Sequence, residues 1–342
     1  MLKSTSPGGR ARLFWQVSAL ALIAVGAGGR KAEAATATDG TITLDLQGQW
    51  AFASDGVNDG PASQDSNFRD AISPVGGYNL SGEITYQPAS SPWSFGVGVR
   101  YGRVSGHHAK NHAFATTAVQ HTPGGYGLTH YTAQNLAISE SAQEHYTIDF
   151  EVGRDFGVGM FGPGTSTLGA GVRYAHFNST VTGSFRTNTK YTVRSPGGSI
   201  YPGYTHSKFK AGRFTQRRAT DAVGPRLFVK TVSPITPNSA FSIGAGAGVA
   251  FLFGRQTVHS TLHMTSGTYA NPSKLTRTNS RGTPNVDGYL QLNWSPAHSG
   301  FSVGVGYKVD AYFTVMDGGF GGKKEIDNLE HGPYLDISVK FP

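Results

Sequence analysis

The sequence predicts an all-β fold: an antiparallel transmembrane β-barrel of about ten strands behind an N-terminal signal peptide. Three observations support this prediction. The chain of 342 residues begins with a basic and then apolar segment, its glycines recur at every second position, and its last segment alternates apolar and polar residues up to Phe341. Side chains of a strand point alternately to the two faces of its sheet, so this alternation separates a lipid-facing from an interior face.

The first 34 residues have the parts of a secretory signal peptide. A basic start is followed by an apolar run from Leu13 to Gly26 and by the small-residue cleavage motif Ala32-Glu33-Ala34. Because Gly28–Lys31 interrupt the run, it is shorter than the about 20 apolar residues that span a bilayer as a helix. We therefore expect a signal peptide at 1–34 and one barrel domain at 35–342.

Composition excludes several classes of function. Removing residues 1–34 takes away five basic residues and one acid, so the net charge falls from +8 to +4. No cluster of Lys and Arg marks a nucleic-acid surface, and we expect no nucleic-acid partner. The chain has no cysteine, which excludes disulfides and thiolate chemistry. We expect no cofactor.

Ten alternating segments each approach or exceed the about nine to eleven tilted residues with which a strand crosses a membrane. They lie near residues 41–53, 79–87, 93–106, 145–154, 167–182, 216–232, 241–258, 286–294, 301–316 and 333–341.

Long and short connections alternate between these segments, as external loops and periplasmic turns do in a bacterial outer-membrane barrel. The long ones are 55–77, 109–144, 185–209, 261–283 and 317–331, and the short ones are 88–92, 156–166, 233–240 and 295–300. A soluble β-sandwich also alternates apolar and polar residues, but it has no reason to alternate long with short connections. The strand count rises to twelve if 109–144 contains a further hairpin, and this segment is also long enough to fold back and plug the barrel.

The charges of the ten segments fall on the side opposite to the apolar residues. Arg or Lys facing lipid at the bilayer midplane costs about 2–4 kcal/mol, so we expect these charges to line the lumen. The predicted lumen-facing charges are Asp45, Glu83, Arg100, Asp149, Glu151, Arg173, Arg218, Arg226, Lys308, Asp310, Asp336 and Lys340. The same alternation places Lys230 and Asp287 on this face, and aromatic residues near strand ends suit the two membrane interfaces.

Two states of the lumen are compatible with this pattern. Acids and bases that pair across neighbouring strands would close it, whereas acidic and basic walls would line a wet passage and limit net ion selectivity. Many inward positions are glycine, among them Gly96, Gly98, Gly246 and Gly248. Because small residues leave room, the sequence favours a small aqueous channel, which is narrow since barrel diameter grows with strand number.

Two groups of residues suggest other chemistry. Five histidines in or beside the longest loop could bind Zn²⁺ or Cu²⁺, although no carboxylate or cysteine accompanies them at a recognisable spacing. A second group could form a hydrolytic site at the outer rim, which needs a base within reach of a nucleophile and a group that orients the base. The histidines are His107, His108, His112, His121 and His130, and the hydrolytic candidates are His259, Ser260, His263, Asp327 and His331.

Four segments, 145–153, 168–175, 223–227 and 331–335, resemble the Legionella-type major outer membrane protein family. The similarity covers essentially the whole mature chain, in the same order. The resemblance implies a pore-forming outer-membrane barrel without catalytic residues, whose lumen wall would carry Asp149, Glu151, Arg173 and Arg226. Replacing the two arginines by neutral residues should then alter ion preference. One departure is Pro342 after Phe341, because many such barrels end on the aromatic residue.

The sequence thus predicts a porin-like protein of the outer membrane of a Gram-negative bacterium, which passes small polar solutes or ions passively and is not an enzyme. The alternative is a closed structural or adhesive barrel that presents its loops to a host surface or ligand; transport of a specific hydrophobic solute is a third possibility. Expected partners are outer-membrane lipid and lipopolysaccharide, the barrel-insertion machinery during biogenesis, and the permeating solutes or ions. The alternation does not decide whether the chain forms a homo-oligomer.

Overall fold

Ten antiparallel strands close into one barrel, in which each strand pairs with the next in sequence and β1 pairs with β10. The computed structural model describes residues 40–54, 76–122, 125–159, 163–194, 200–236, 239–264, 273–296, 299–317 and 325–341. The predicted signal peptide at 1–34 lies outside these residues. The strands are β1 (Thr41–Ser54), β2 (Gly76–Gln87), β3 (Trp93–Thr122), β4 (Gly125–Asp155), β5 (Thr165–Arg194), β6 (Ile200–Pro234), β7 (Phe241–Met264), β8 (Ser273–Trp294), β9 (Phe301–Asp317) and β10 (Glu325–Phe341).

The predicted fold class and strand count are confirmed. Short connections join β2 to β3, β4 to β5, β6 to β7 and β8 to β9 at one end of the barrel, at the predicted turns. In the first of them, the Ser91 N–H donates to the Pro88 carbonyl at 3.2 Å. Within the described part of the chain, no helix is long and apolar enough to cross a membrane.

At the opposite end, strands replace much of what the sequence predicts as loops. Segment 109–144 continues β3 and β4, which pair without a break from Trp93 opposite Arg154 to Thr122 opposite Gly125. The 30 residues of β3 therefore extend about 100 Å at about 3.4 Å per residue, far beyond a hydrocarbon core of about 30 Å. The regular apolar alternation of the sequence stops in this extension, although the backbone pairing continues. The strand count stays at ten, and the paired backbone of 109–144 extends the barrel wall.

Strands also enter three other predicted loops, 185–209, 261–283 and 317–331. β5 ends at Arg194 and β6 begins at Ile200, while β7 ends at Met264 and β8 begins at Ser273. β10 begins at Glu325, eight residues after β9 ends at Asp317. These three connections and the one between β3 and β4 are therefore much shorter than the sequence alone suggests, whereas the one between β1 and β2 keeps nearly its predicted length.

The outer wall of the barrel is a belt of exposed large hydrophobic side chains. On β7 it runs from Phe241 to Phe253, which are 47% and 60% exposed. These twelve residue steps cover about 31 Å along the barrel axis for a strand tilt of about 40°, which matches a bilayer core of about 30 Å. A soluble sandwich buries its apolar face, so an exposed belt of this height fits a lipid environment. Other strands contribute Val97, Val99, Phe150, Leu168, Leu227, Leu290, Val305 and Leu335.

Candidate functional site

The candidate site is a layer of charged side chains inside the barrel, about halfway up the apolar belt. Strand alternation brings these side chains inward from six different strands, and most of them are buried. We call this set the ionic layer; it consists of Arg100, Asp149, Glu151, Arg173, Arg226, Asp287 and Asp310.

Arg173 on β5 lies at the centre of the ionic layer and is fully buried. Its Nε and Nη2 donate to the two carboxylate oxygens of Asp149, directly opposite on β4, at 2.7 and 2.8 Å. Its Nη1 donates to Asp287 Oδ1 at 2.8 Å and to Asn285 Oδ1 at 2.5 Å. Both of these acceptors are on β8, three strands away around the barrel, so this side chain crosses the lumen.

Arg226 on β6 makes a second set of crossing contacts. Its Nη2 donates to Asp287 Oδ2 at 2.8 Å, and its Nη1 pairs with Glu151 on β4. Lys230 lies four residues along β6 from Arg226, nearer the short connections. Its Nζ is 2.9 Å from Glu151 Oε2 and 2.6 Å from Glu83 Oε1. Because β2 and β6 are four strands apart, the lysine also bridges the lumen.

Two acids that face each other explain why the layer needs several arginines. Asp287 on β8 is the cross-strand partner of Asp310 on β9, and like charges in such positions destabilise a sheet. Arg100, four strands from β9, pairs with Asp310, and the Asn285 amide donates to the same carboxylate at 2.8 Å. Each acid is thus neutralised by guanidinium groups that reach it from the far wall.

These contacts correct the expected open channel at this height. Alternation suggests pairing between neighbouring strands, but most of the ion pairs join strands that are two to four apart. The side chains of Arg100, Arg226 and Asp287 are 9% exposed or less, so the ionic layer fills the lumen in this structure. Buried charges persist only where partners satisfy them, which the crossing geometry provides.

The inward glycines make room for long side chains rather than for water. A Cβ on Gly248 would lie 2.7 Å from Arg226 Nη2 and 2.9 Å from Asp287 Oδ2. A Cβ on Gly246 would lie 2.3 Å from the Tyr289 ring. The expectation that small residues leave an open passage is therefore wrong at these positions, because side chains from other strands occupy the space.

An apolar layer closes the lumen on the external side of the ionic layer. We define it as Phe177, Leu252, Tyr312, Val315 and Met316, all of which are buried. The rings of Phe177 on β5 and Tyr312 on β9 meet edge to face at 4.7 Å. At the level of this layer, His145 on β4 is the cross-strand partner of Phe177, and its Nδ1 lies 3.1 Å from Glu330 Oε1 on β10, another contact across the lumen.

Towards the short connections the interior is more open. Asp45, Glu83, Lys230, Lys308 and Asp336 are only partly buried there, and we call this set the vestibule. Its strongest contacts are the pair between Lys230 and Glu83 and a bond from Lys308 Nζ to Gln47 Oε1 at 3.0 Å. Of the remaining predicted lumen charges, Arg218 is buried beyond the apolar layer and Lys340 is exposed at the barrel mouth.

Neutral partners of the site were absent from the sequence prediction. Asn285 and Tyr312 are inward-facing by the same period-2 rule, but an amide or a phenol gives no charge signal to single them out. Lys230 and Asp287 did carry that signal. Their role as bridges depends on which strands lie opposite each other, which alternation does not show.

The structure also bears on the predicted hydrolytic site and on the predicted metal site. His259 is exposed on the outer wall while Ser260 is buried inside, so the two face opposite ways and do not form a dyad. His331 lies 2.5 Å from the Tyr307 hydroxyl, and Asp327 accepts the Thr314 N–H at 2.7 Å, so neither orients the other. Among described residues, no group of three or more His, Asp or Glu side chains could hold a metal ion. For the five loop histidines the structure describes the backbone, which belongs to β3 and β4, but not the side chains, so the predicted metal site is not tested.

No family model and no curated protein matches this chain. Solved structures similar to it include a major outer membrane protein from Thermus thermophilus, with 14% identity over 88% of this chain and 99% of the other and a TM-score of 0.29. The translocator domain of the autotransporter NalP from Neisseria meningitidis has 9% identity over 97% and 98%, with a TM-score of 0.24. The toluene transporter TodX of P. putida has 8% identity over 89% and 90%, with a TM-score of 0.16. Scores this low carry no argument about activity, and the barrel fold stands on its own strand pairing.

Proposed function

We propose that this chain is a pore-forming barrel of the bacterial outer membrane, whose lumen is closed in this conformation by the ionic and apolar layers. It passes small ions or polar solutes when these layers are displaced. The observation that carries the proposal is the ionic layer itself, in which buried charges bridge the lumen of a barrel that has a lipid-facing belt.

Burying charges is a poor way to stabilise a barrel that has no passage. Replacing a buried ion pair by apolar residues of similar volume is often neutral or stabilising, because desolvation offsets the attraction between the charges. Ionisable groups at membrane depth typically mark ion or substrate pathways. The half-buried polar vestibule below the ionic layer supports the same interpretation, since it leads water from one mouth of the barrel to the closed layers.

The second candidate function is a permanently closed barrel that presents an external surface. The observation that favours it is the height of β3 to β6, which continue the barrel wall far above the belt. A wall of this height offers a large external surface to a host component or ligand. The two candidates differ in whether the lumen ever conducts.

Single-channel conductance of the refolded mature protein in a planar bilayer tests the proposal. We expect the wild type to open rarely, in reproducible steps that vanish after heat unfolding. A combined variant, Arg226→Gln/Asp287→Asn with Phe177→Ala, removes crossing contacts from both layers and should open more often and for longer. The matched control, Arg103→Gln/Glu144→Gln, neutralises an ion pair on the outer wall with an N–O distance of 3.8 Å and should behave like the wild type.

Folding of each variant is checked by its shift in gel mobility on heating. If correctly folded wild type and combined variant both fail to conduct at any applied voltage, the pore proposal is wrong and the closed barrel stands. If the combined variant does not fold, the wild-type recordings alone decide between the two candidates.

A further inference from the structure

On the outer wall above the apolar belt, exposed basic side chains are concentrated on β6, β7 and β8. On β6, β7 and β8 the outward positions beyond the belt carry exposed basic side chains. We call this set the basic face; it consists of Arg213, Arg217, Arg255, His259, His263 and Lys274.

Strand register places these side chains next to one another. Arg217 lies opposite His259 and Arg213 opposite His263 on the paired strands β6 and β7. Lys274 on β8 pairs with Thr261, which lies between the two histidines along β7. The basic face is therefore one continuous surface across three strands.

Basic side chains outnumber acids on this surface in the described part of the chain. Among the described outward side chains of β6 to β8 beyond the belt, Asp221 is the one acid, and it lies directly opposite Arg255 on the paired strand β7. It is engaged towards β5, where the Tyr174 hydroxyl donates to Oδ1 at 2.8 Å and His176 Nδ1 lies 2.7 Å from the same oxygen. The corresponding wall of β3 and β4 is different, because Arg103 there faces Glu144. An excess of cations on one side of a surface attracts an anionic partner.

The position of the basic face identifies the kind of anion. The belt ends on these strands at Val223 and Phe253, which are cross-strand partners and 49% and 60% exposed. Arg255 is two residues beyond Phe253, or about 5 Å above the belt edge for a tilted strand. Acyl chains against the belt therefore place a lipid phosphate beside Arg255.

The height of the basic face separates two classes of lipid. Arg217 and Arg213 lie six and ten residues beyond Val223, or about 16 and 26 Å above the belt edge. The headgroup region of a phospholipid bilayer is only about 5–8 Å deep on each side, so a phospholipid phosphate does not reach these arginines. A glycolipid whose anionic groups continue into a long sugar headgroup reaches all of them.

We propose that the basic face binds lipopolysaccharide of the outer leaflet, with acyl chains on the belt below and anionic headgroup groups on the arginines and Lys274. This inference rests on the proposed location in the outer membrane, and it is independent of whether the lumen conducts. It assigns the lipopolysaccharide contact to the barrel wall on β6 to β8.

The test compares binding of labelled lipopolysaccharide to the refolded barrel in nonionic detergent. We expect Arg213→Gln/Arg217→Gln/Arg255→Gln to weaken binding about tenfold, since three surface charge contacts each contribute a few-fold. The control Arg103→Gln/Arg154→Gln/Lys340→Gln removes the same charge from the half-exposed Arg103 and from two exposed positions elsewhere, and it should bind like the wild type. All these substitutions are on the surface, and heat-shift in gel mobility verifies folding.

Three results of the direct binding measurements would overturn the assignment. These are unchanged affinity in the basic-face variant, an equal loss in the control variant, and equally tight binding of phosphatidylglycerol. Competition by millimolar inorganic phosphate as effective as that by lipopolysaccharide would also overturn it, because it would reduce the face to a general phosphate site. Conductance of the same variants is measured in parallel and should be unchanged, so failure of this inference is distinguishable from failure of the pore.

Discussion

The ionic layer and the vestibule are built from the same residue types in the same barrel, yet they differ in how their charges are satisfied. In the ionic layer, Asp287 accepts from two buried arginines that cross the lumen. In the vestibule, Asp336 on β10 is half-buried, and the nearest strong pair, Lys230 with Glu83, is about one-third exposed on both partners. Exposure to solvent therefore stabilises the carboxylates of the vestibule, whereas buried arginines stabilise those of the ionic layer.

This difference locates the closure of the barrel. Side chains that reach across the lumen and satisfy one another exclude water, whereas side chains that remain along the wall leave the mouth wet. Because the interaction between two charges strengthens as water is excluded, the ionic layer should be energetically coupled and the vestibule should not. Substitutions in the two regions test this contrast.

The largest effect is expected from Asp287→Asn. This change leaves Arg173 and Arg226 buried with one carboxylate fewer, and breaking a buried ion pair costs about 3–5 kcal/mol. The matched vestibule change, Asp336→Asn, should cost less than about 1 kcal/mol, because interactions between solvent-exposed charges are screened and contribute little. The free energy of unfolding in urea, measured in lipid vesicles, compares the two. Similar losses of unfolding free energy in the two variants would contradict the prediction that charges are strongly coupled in the ionic layer and weakly coupled in the vestibule.

A smaller effect is expected from adding one methyl group at an inward glycine. In Gly248→Ala the new Cβ would lie 2.7 Å from Arg226 Nη2, so the ionic layer must shift, and overpacking of this kind typically costs about 1–3 kcal/mol. Gly98→Ala is the control, because its Cβ would have no neighbour closer than 3.8 Å. The same urea titration should give an unchanged or slightly higher stability for the control. A loss as large as that of Gly248→Ala would point to strand propensity instead of crowding.

The glycine pair also shows how far the sequence could predict this molecule. Alternation alone placed Gly98 and Gly248 on the inward face, and the strand count and the membrane-facing part of the barrel followed from the same rule. What alternation cannot show is which strands lie opposite each other across the lumen. Without that, a row of inward glycines predicts empty space, whereas Gly248 in fact faces the guanidinium of Arg226.

The external part of the barrel was mispredicted for a different physical reason. Residues 109–144 lack the apolar alternation of a lipid-facing strand, and a largely polar segment without alternation is indistinguishable from a loop in sequence. The backbone hydrogen bonds that hold β3 to β4 there do not depend on side-chain polarity. Sequence pattern therefore reports the membrane-facing part of a barrel strand and is silent about its continuation.

The smallest effect is electrical and concerns the vestibule alone. Lys230 is paired with Glu83, which leaves Asp45 and Asp336 against Lys308 within the vestibule, while Lys340 lies further out at the barrel mouth. This modest excess of acid should give the opened combined variant a preference for cations, since rings of acidic side chains select cations in channels. Adding Asp45→Asn/Asp336→Asn should move the reversal potential towards that of chloride, and adding Lys308→Gln should move it the other way. If neither change shifts the reversal potential, selectivity is set in the ionic layer and the vestibule is only a wide entrance.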